Sequence, residues 1–494
     1  MENNFKKRYN VLKSEGGVSI LKKFYENCQI FTPLEIVKYM LDTIGYKNNI
    51  IGKTVLENSC GDGNFLIEIT QRYIRCCIRK KYSKKEIKKG LERDIYGYEL
   101  DSRHFKKCLE NLDSLACEYG IHDVKWKIYN KDYLKEMNNK KFDFIIGNPP
   151  YISYADLDLE TRVYIKDKFS SCKEGKPDYY YAFIEQSLNF LNETGVLAYL
   201  IPNNIFKNRF GERIRNIMKD SLMEVIDYDN LKMFEGKLTT SSVIICSKAK
   251  KKRSIVYKNI PNELTYKIQK NNLNEKWIFN TDIEHMEREH VFGDEFNVFM
   301  SVATLLNKAF VISDFVEEND YYIVERNYRI EKGAVRPAAS PRGLSRNRTE
   351  LIIFPYRYDN GLKKIGENFC NEFPLAYEYL ERYRDELEKS NKDSGALWFE
   401  YGRSQALQNL NQRMILISSV ISNCTQAYLL EKEEIPYSGL YIVPTRNISL
   451  DILVPILNSE NFKKYINSVG VCVSGTSKRV TPSDIENFVF ESNN

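Results

Sequence analysis

Residues 142–151 read FDFIIGNPPY, an apolar run that ends in an asparagine, two prolines and a tyrosine. The run predicts a buried strand, and the prolines end it because they lack an N–H donor and have a fixed φ. The corner that follows suits a planar amine with a delocalised lone pair, because Asn148 Oδ1 and the Pro149 carbonyl can accept both amino hydrogens. Tyr151 offers a ring face to the same substrate. The alternative is a loop breaker without chemistry.

Short apolar runs alternate with amphipathic segments on both sides of this corner, between about residues 53 and 247. The alternation predicts a parallel sheet with helices on both faces. The last two runs are too close for a crossover helix, so they predict an antiparallel pair at the sheet edge. The candidate strands are residues 54–57, 95–99, 124–129, 142–146, 195–201, 224–228 and 241–247.

Acidic side chains follow the first three candidate strands. Glu57 precedes a turn with two glycines, and Glu99 ends the second strand. Asp132 follows the third strand together with Tyr133. In a doubly wound sheet these positions lie at the carboxyl edge, where cofactors bind. The glycine turn lacks both G-x-G-x-x-G and a Walker lysine, which argues against a dinucleotide or a phosphate. Each acid alone fits an ordinary turn or helix cap, but three in series favour a nucleoside.

Composition excludes several classes of protein. The 494 residues predict two or three domains. Basic residues (73) exceed acidic residues (67) by only 6, so nucleic-acid binding must come from local patches. The polar start MENNFKKRYN predicts no signal peptide, and no apolar stretch approaches the ~20 residues that span a bilayer. Eleven scattered cysteines without C-x-x-C and four histidines indicate a cytoplasmic protein with reduced thiols and no metal site.

Taken in order, these motifs resemble the gamma class (TaqI-type) of adenine-N6 DNA methyltransferases, which use S-adenosylmethionine. That class has a TP motif, a glycine motif, NPPY and a C-terminal target-recognition domain. The resemblance implies a Rossmann-like α/β domain with a mostly parallel seven-stranded sheet, followed by a mixed α+β domain. It is strong over roughly residues 20–250 and weaker beyond. The matching segments are IFTP (30–33), ENSCGDGNFL (57–66), YELD (98–101), KDY (131–133) and NPPY (148–151).

The resemblance implies a catalytic role for the whole corner, Asn148, Pro149, Pro150 and Tyr151. Asn148 and Pro149 are expected to hold the target N6 amine, while Tyr151 stacks on the flipped base. Phe234, in a looser motif, is expected to press on the edge of the same base.

The resemblance places the cofactor at the acidic strand ends. Glu57 is expected near its ammonium group, Glu99 at its ribose and Asp132 at its adenine amino group. Thr32 and Pro33 are expected by its methionine carboxylate. One departure is Asn58-Ser59, where the class often has Pro-Ala. The full expected set is Thr32, Pro33, Glu57, Ser59, Cys60, Gly61, Gly63, Phe65, Glu99, Leu100, Asp132, Tyr133 and Asn148, with the glycines at the methionine end and Leu100 on the adenine.

Three regions are expected: a methyltransferase domain over 1–250, a linker over 251–280 that begins in the charge run KAKKKR, and a DNA target-recognition domain over 281–494. Double-stranded DNA is expected in a positive cleft between the two domains. Arg403 fits a structural role instead. The candidate DNA contacts are Arg336, Arg342, Arg346, Arg348, Lys478 and Arg479, and a solvated basic loop is equally consistent with each.

Alternatives stay open at this stage. NPPY also occurs in methyltransferases of RNA adenine and of protein glutamine, although about 240 residues after the catalytic domain favour DNA. A fused endonuclease would precede the TP motif, where only about 30 residues lie. A non-catalytic DNA-binding relative would not need an intact NPPY. The enzyme is expected to act as a monomer and without a metal, and a separately encoded restriction endonuclease would be its partner in a restriction-modification system.

Overall fold

The chain divides into two units in the computed structural model, Met1–Thr281 and Asp282–Asn494. Each unit has its own sheets and helices, as given below. The residues that the structure describes are 32–136, 140–229, 240–249, 252–279, 290–359, 361–390, 392–403, 405–446, 448–474 and 476–490.

A single large sheet forms the centre of the first unit. Its strands are β1 (Val55–Glu57), β2 (Ile95–Tyr98), β3 (Lys127–Tyr129), β4 (Phe142–Gly147), β5 (Leu191–Pro202), β6 (Leu222–Asp227), β7 (Ser241–Ser247), β8 (Ser254–Asn259) and β9 (Leu264–Gln269). The spatial order is β3-β2-β1-β4-β5-β7-β6-β8-β9. β1 to β5 run parallel, and β7 is antiparallel to both of its neighbours. The predicted Rossmann-like α/β fold is confirmed by this arrangement.

Helices cover both faces of this sheet. Neighbouring residues on a strand point to opposite faces, so Val55 packs into one core and Leu56 into the other. The first four helices contribute to the Val55 core, and the last three contribute to the Leu56 core. The helices are α1 (Leu34–Thr43), α2 (Asn64–Arg79), α3 (Lys84–Asp94), α4 (Ser102–Glu118), α5 (Leu159–Lys168), α6 (Tyr180–Phe190) and α7 (Glu212–Lys219).

The prediction of a linker over 251–280 is corrected, because two strands lie there. They extend the expected seven-stranded sheet to nine strands. β8 pairs with β6, and β9 pairs with β8. Ile255 and Ile268 are buried, and Trp277 stacks on Phe206 with ring centroids 6.2 Å apart. The prediction of a linker rested on the charge run and overlooked the alternating pattern that follows it. β6 and β7 are antiparallel as predicted, but β8 covers β6, so the pair does not end the sheet.

The second unit is a mixed α+β region with several small sheets. The orders β11-β24-β20-β22 and β12-β17-β16-β23 form its two four-stranded sheets, and β21-β26-β25 forms a smaller one. The strands are β10 (His290–Val291), β11 (Phe296–Met300), β12 (Val311–Ile312), β13 (Phe315–Glu317), β14 (Tyr321–Val324), β15 (Tyr328–Glu331), β16 (Val335–Ala339), β17 (Glu350–Ile353), β18 (Tyr356–Tyr358), β19 (Leu362–Lys364), β20 (Met414–Ile417), β21 (Val420–Ile421), β22 (Ala427–Leu430), β23 (Ile435–Pro436), β24 (Leu440–Pro444), β25 (Val471–Ser474), β26 (Ser477–Arg479) and β27 (Val489–Phe490).

The helices of the second unit are short, and several of them contribute to one apolar core. Phe310 and Tyr401 meet in that core, and the Tyr401 hydroxyl donates to the Ile353 carbonyl at 2.7 Å. No helix in the described part of the chain is long and apolar enough to cross a membrane. The helices are α8 (Phe292–Glu295), α9 (Asn307–Phe310), α10 (Pro341–Leu344), α11 (Phe369–Glu372), α12 (Pro374–Glu381), α13 (Arg384–Lys389), α14 (Leu453–Asn458), α15 (Glu460–Val469) and α16 (Pro482–Glu486).

Candidate active site

A cavity of about 960 Å³, open to solvent on one side, lies at the carboxyl ends of β1 to β4. Parallel strands bring their carboxyl ends to one edge of a sheet, which is why residues far apart in sequence meet here. The wall consists of Thr32, Glu57, Asn58, Ser59, Cys60, Gly61, Asn64, Phe65, Glu99, Leu100, Lys131, Asp132, Tyr133, Asn148, Pro149, Pro150, Tyr151, Tyr179 and Phe183.

Most of the residues predicted from the sequence lie on this wall, but Pro33 and Gly63 do not. Pro33 is exposed and precedes α1, and its carbonyl accepts from Ile36 and Val37. Gly63 begins α2 with a φ of 91°, and a Cβ there would lie 2.8 Å from the Cys108 sulfur. Pro33 thus starts a helix and Gly63 lets the turn pack against α4, and their contacts with the cofactor stay predictions.

The sequence analysis missed part of the wall. Asn58, Asn64 and Lys131 lie within the motifs quoted above but were not predicted as site residues. Tyr179 and Phe183 lie four residues apart, so they share one face of α6 and its first turn. That spacing, in the aromatic run after NPPY, was the signal that could have found them. Phe234 lies outside the described residues.

Three carboxyl groups lie on one side of the cavity; Glu57 and Glu99 are buried, and Asp132 is half-buried. Glu57 is 2% exposed, and its Oε2 has no hydrogen-bond partner among the described residues. Glu99 accepts from the Gly61 and Asp101 backbone N–H groups, both at 2.8 Å. Asp132 accepts from the Leu134 N–H at 3.0 Å.

Burial raises the pKa of each of these three carboxyl groups and is the largest cause of each shift. The upward shift is largest for Glu57, whose pKa Cys108 and Glu99 also raise to a smaller extent. No ion pair between described residues involves any of the three. A buried carboxylate without a counter-ion is costly, and a bound cation would lower that cost. This side of the cavity therefore suits a positively charged ligand.

The NPPY corner forms another part of the wall, and side chains from several elements hold it. The Asn148 Nδ2 donates to the Thr32 hydroxyl at 3.2 Å, and the Ser59 hydroxyl donates to the Asn148 carbonyl at 3.1 Å. The Tyr151 hydroxyl donates to the Leu200 carbonyl on β5 at 2.9 Å. The Tyr151 ring meets the Tyr180 ring edge-on, with centroids 6.0 Å apart. The corner is thus fixed in place and borders an open cavity.

The predicted DNA contacts all lie in the second unit. Arg342, Arg346, Arg348 and Arg479 are exposed, whereas Arg336 and Lys478 are half-buried. No ion pair within the described ranges involves any of the six. Arg403, by contrast, pairs with Asp393 at 2.6 Å, as a structural role requires.

A glycine contact links two of the segments that carry these cations. Gly439, with a φ of 100°, allows the start of α10 to pack close, since a Cβ there would lie 3.0 Å from Pro341 Cγ. The same glycine lies against the carbonyl of Ile417, the last residue of β20. β21 follows directly and pairs with β26, where Val420 faces Arg479. Arg342 on α10 and the Lys478-Arg479 pair on β26 therefore belong to neighbouring segments.

Comparison with known proteins agrees with the fold. Residues 63–234 match the Eco57I restriction-modification methylase family. The predicted resemblance to restriction-modification methyltransferases is confirmed. The matches support the expected DNA methyltransferase, with S-adenosylmethionine as the cofactor.

Individual relatives are distant in sequence. The Type II methyltransferase M.BstVI of Geobacillus stearothermophilus is 24% identical over 91% of this chain and 87% of its own length. The Type II restriction enzyme and methyltransferase RM.Eco57I of Escherichia coli is 24% identical over 58% of this chain, which spans about a third (33%) of that protein. The Type IIL restriction-modification enzyme MmeI, solved in complex with DNA, has a TM-score of 0.61 at 15% identity, over 95% of this chain and 67% of that one. This last likeness shows the fold.

Proposed function

We propose that the protein transfers a methyl group from S-adenosylmethionine to the N6 amino group of an adenine that is flipped out of double-stranded DNA. One observation carries the proposal: the NPPY corner and the three carboxyl groups lie on the wall of the same cavity. A cationic nucleoside on the acidic side and a planar amine at the corner would be neighbours there.

The residues of the acidic side fit the cofactor. Glu57, on the wall of the cavity, offers a buried carboxylate oxygen without a partner among the described residues. S-adenosylmethionine supplies a methyl group on a positively charged sulfur. In our proposal Glu57 binds the ammonium group, Glu99 the ribose and Asp132 the adenine amino group. The Glu99 oxygens already accept backbone N–H groups, and each keeps a second lone pair for a hydroxyl.

The corner prepares the target amine. Because Thr32 engages Asn148 Nδ2, we assign Oδ1 of the same amide as the acceptor for one amino hydrogen. The Pro149 carbonyl accepts the other hydrogen, so the nitrogen becomes pyramidal and its lone pair becomes available for attack. Tyr151 stacks on the base, with its ring held by the bond to Leu200. No histidine lies on the described wall, and the amine is proposed to lose its proton to solvent after transfer, without a metal.

Duplex DNA is the proposed substrate because of the chemistry of the target amine. An adenine amino group is paired and stacked inside the helix, so it reaches the cavity only after the nucleotide is flipped out. Several cations of the second unit, Arg342, Arg346, Arg348 and Arg479 among them, make no ion pair between described residues and are proposed to contact the phosphates. We propose that the protein acts as a monomer in the cytoplasm, with a separately encoded restriction endonuclease as its partner.

Sequencing of modified bases tests the reaction and its target together. Genomic DNA is compared from cells that express the wild-type protein, the Asn148→Ala variant or the Asn189→Ala variant. Asn189 is an exposed amide on the same domain and serves as the matched control. We expect N6-methyladenine in one sequence motif with the wild type and the control, and its loss with Asn148→Ala.

Other outcomes would contradict specific parts of the proposal. A methyl group on cytosine in that motif would contradict the target base. Methylated RNA adenine or protein glutamine, with DNA unchanged, would favour the other NPPY chemistries. Purified protein treated with EDTA is expected to keep its activity, and restoration of lost activity by Mg²⁺ would contradict the metal-free mechanism.

A further inference from the structure

Asn58 lies on the cavity wall directly after Glu57 and is 2% exposed. Its Nδ2 donates to the Ser187 hydroxyl at 3.0 Å and to the Tyr199 hydroxyl. Its Oδ1 is buried and has no hydrogen-bond partner among the described residues. A buried acceptor without a donor destabilises the fold, so its retention on a ligand cavity calls for an explanation.

A network of hydroxyl groups fixes the other end of this amide. The Ser187 hydroxyl on α6 lies 2.6 Å from the Tyr199 hydroxyl on β5 and 2.9 Å from the Tyr133 hydroxyl. All of these side chains are buried, and Tyr133 directly follows Asp132. Buried polar networks with satisfied partners hold their members in one arrangement. The network therefore holds the Asn58 amide rigidly at the end of β1 and connects it to the end of β3.

The side chains of Glu57 and Asn58 both lie beside the NPPY corner. Gly147 precedes Asn148, and a Cβ at Gly147 would lie 3.6 Å from Glu57 Cγ and 3.7 Å from Asn58 Oδ1. Each of the two side chains has a buried acceptor oxygen without a partner among the described residues. One donor group with several hydrogens could satisfy both oxygens at once.

An ammonium group is such a donor, because it has three hydrogens and a positive charge. The sulfonium group of the cofactor has no hydrogen to donate. The adenine amino group is proposed above to meet Asp132, which follows β3 and not β1.

We infer that Asn58 is a cofactor-binding residue whose Oδ1 accepts from the α-ammonium group of S-adenosylmethionine together with Glu57. The inference rests on the proposed placement of the cofactor and adds a residue that the comparisons do not assign. The hydroxyl network supplies the positioning: it occupies Nδ2, so that the acceptor end of the amide meets the ligand.

Binding measurements without turnover test this role. The two probes are S-adenosylhomocysteine and the analogue of it that lacks only the α-amino group, both with a neutral sulfur. Titration calorimetry of the full chain gives the dissociation constants for the wild type and for Asn58→Ala. We expect Asn58→Ala to weaken S-adenosylhomocysteine about tenfold and the analogue less than about twofold, because only the first ligand offers the ammonium hydrogens.

A second pair of variants tests the hydroxyl network that holds the amide. Ser187→Ala and Tyr199→Phe remove partners of Asn58 Nδ2 and leave Oδ1 in place. They are expected to reduce the preference for the amino-bearing ligand by about threefold each, since the amide is less well held. Far-ultraviolet circular dichroism and thermal melts confirm that each variant is folded.

The outcomes separate this inference from the proposed function. If folded Asn58→Ala loses affinity for both ligands equally, or for neither, Asn58 does not contact the ammonium group and the inference is overturned. If the wild type binds neither ligand, the cofactor placement itself is wrong. Loss of the preference in Asn58→Ala, with wild-type binding of both ligands, supports the inference whatever base the enzyme methylates.

Discussion

The two sides of the cavity carry different chemistry although one sheet supplies both. The side after β1, β2 and β3 has the carboxyl groups of Glu57, Glu99 and Asp132. The side after β4 has an amide, two prolines and the Tyr151 ring. Carboxylates attract a cation, whereas a neutral corner leaves the lone pair of an amine available for attack. In our proposal, one set of strands therefore binds the charged methyl donor and another binds the amine that attacks it.

The acidic side can be tested most strongly at Glu57. Glu57→Gln keeps the shape but removes the negative charge, and a hydrogen bond to a charged group contributes about 1.5–3 kcal/mol. We expect the affinity for S-adenosylmethionine to fall by about 100-fold, measured by calorimetry. Glu193→Gln, on an exposed residue of β5, is the matched control. Unchanged cofactor affinity in Glu57→Gln would place the cation elsewhere.

The neutral side can be tested at Tyr151 with two substitutions. Tyr151→Ala removes the ring, and base–aromatic stacking contributes about 1–3 kcal/mol, so we expect turnover on DNA to fall by about 30-fold. Tyr151→Phe keeps the ring and loses only the bond to Leu200, for a loss of about threefold. Cofactor affinity should stay the same in both variants. Equal losses in the two variants would show that the hydroxyl, and not the ring, matters.

A substitution at Asp178 tests whether the neutral side tolerates a charge. Asp178 directly precedes Tyr179, which lies on the cavity wall. Burial raises the pKa of Asp178 to about 6. The ionised carboxylate therefore destabilises the fold above about pH 6, and this effect disappears as the pH falls towards the unfolded value of about 3.9. Asp178→Asn is expected to raise the free energy of unfolding by up to about 2 kcal/mol at about pH 7.5 and by no more than about 0.5 kcal/mol at about pH 4.

Urea melts at the two pH values measure this change, with Asp385→Asn as an exposed control. Methyl transfer by Asp178→Asn is expected to stay within about threefold of the wild type. A much larger loss of turnover would mean that the corner uses a negative charge after all, and the contrast between the two sides would not hold.

The smallest expected effect concerns Thr32, which holds the Asn148 amide. Thr32→Val removes the hydroxyl acceptor and keeps the shape, and one hydrogen bond contributes about 0.5–1.5 kcal/mol. We expect single-turnover methyl transfer at saturating cofactor to slow by about fivefold. Thr32→Ser keeps the hydroxyl and should restore the rate. Equal rates for the valine and serine variants would show that Thr32 does not orient the amide.

The sequence predicted the sheet edge well because the motifs there are local. Glu57, Glu99 and Asp132 each follow an apolar run, and parallel strands must bring such residues together. NPPY was informative for the same reason, since prolines at a strand end leave few backbone choices. The seven predicted strands are all present, with shifted ends.

Contacts between distant segments could not be predicted in this way. Asn58 looked like a turn residue, because its partners Ser187 and Tyr199 lie more than a hundred positions further along the chain. The close packing of Gly63 against Cys108 on α4 had no signal in the sequence either, because the two residues lie 45 positions apart. The small sheets of the second unit join strands that are far apart in sequence, so their order had no local signal.

The hairpin β8–β9 has a practical consequence for anyone who trims this protein. A fragment cut at residue 250, where the charge run suggests a boundary, would strip the partner from β6 and leave its main-chain groups unpaired as an open template for aggregation. It would also uncover the apolar surface now shielded by Trp277. A stable catalytic fragment has to continue to residue 279, beyond the last strand that completes the sheet.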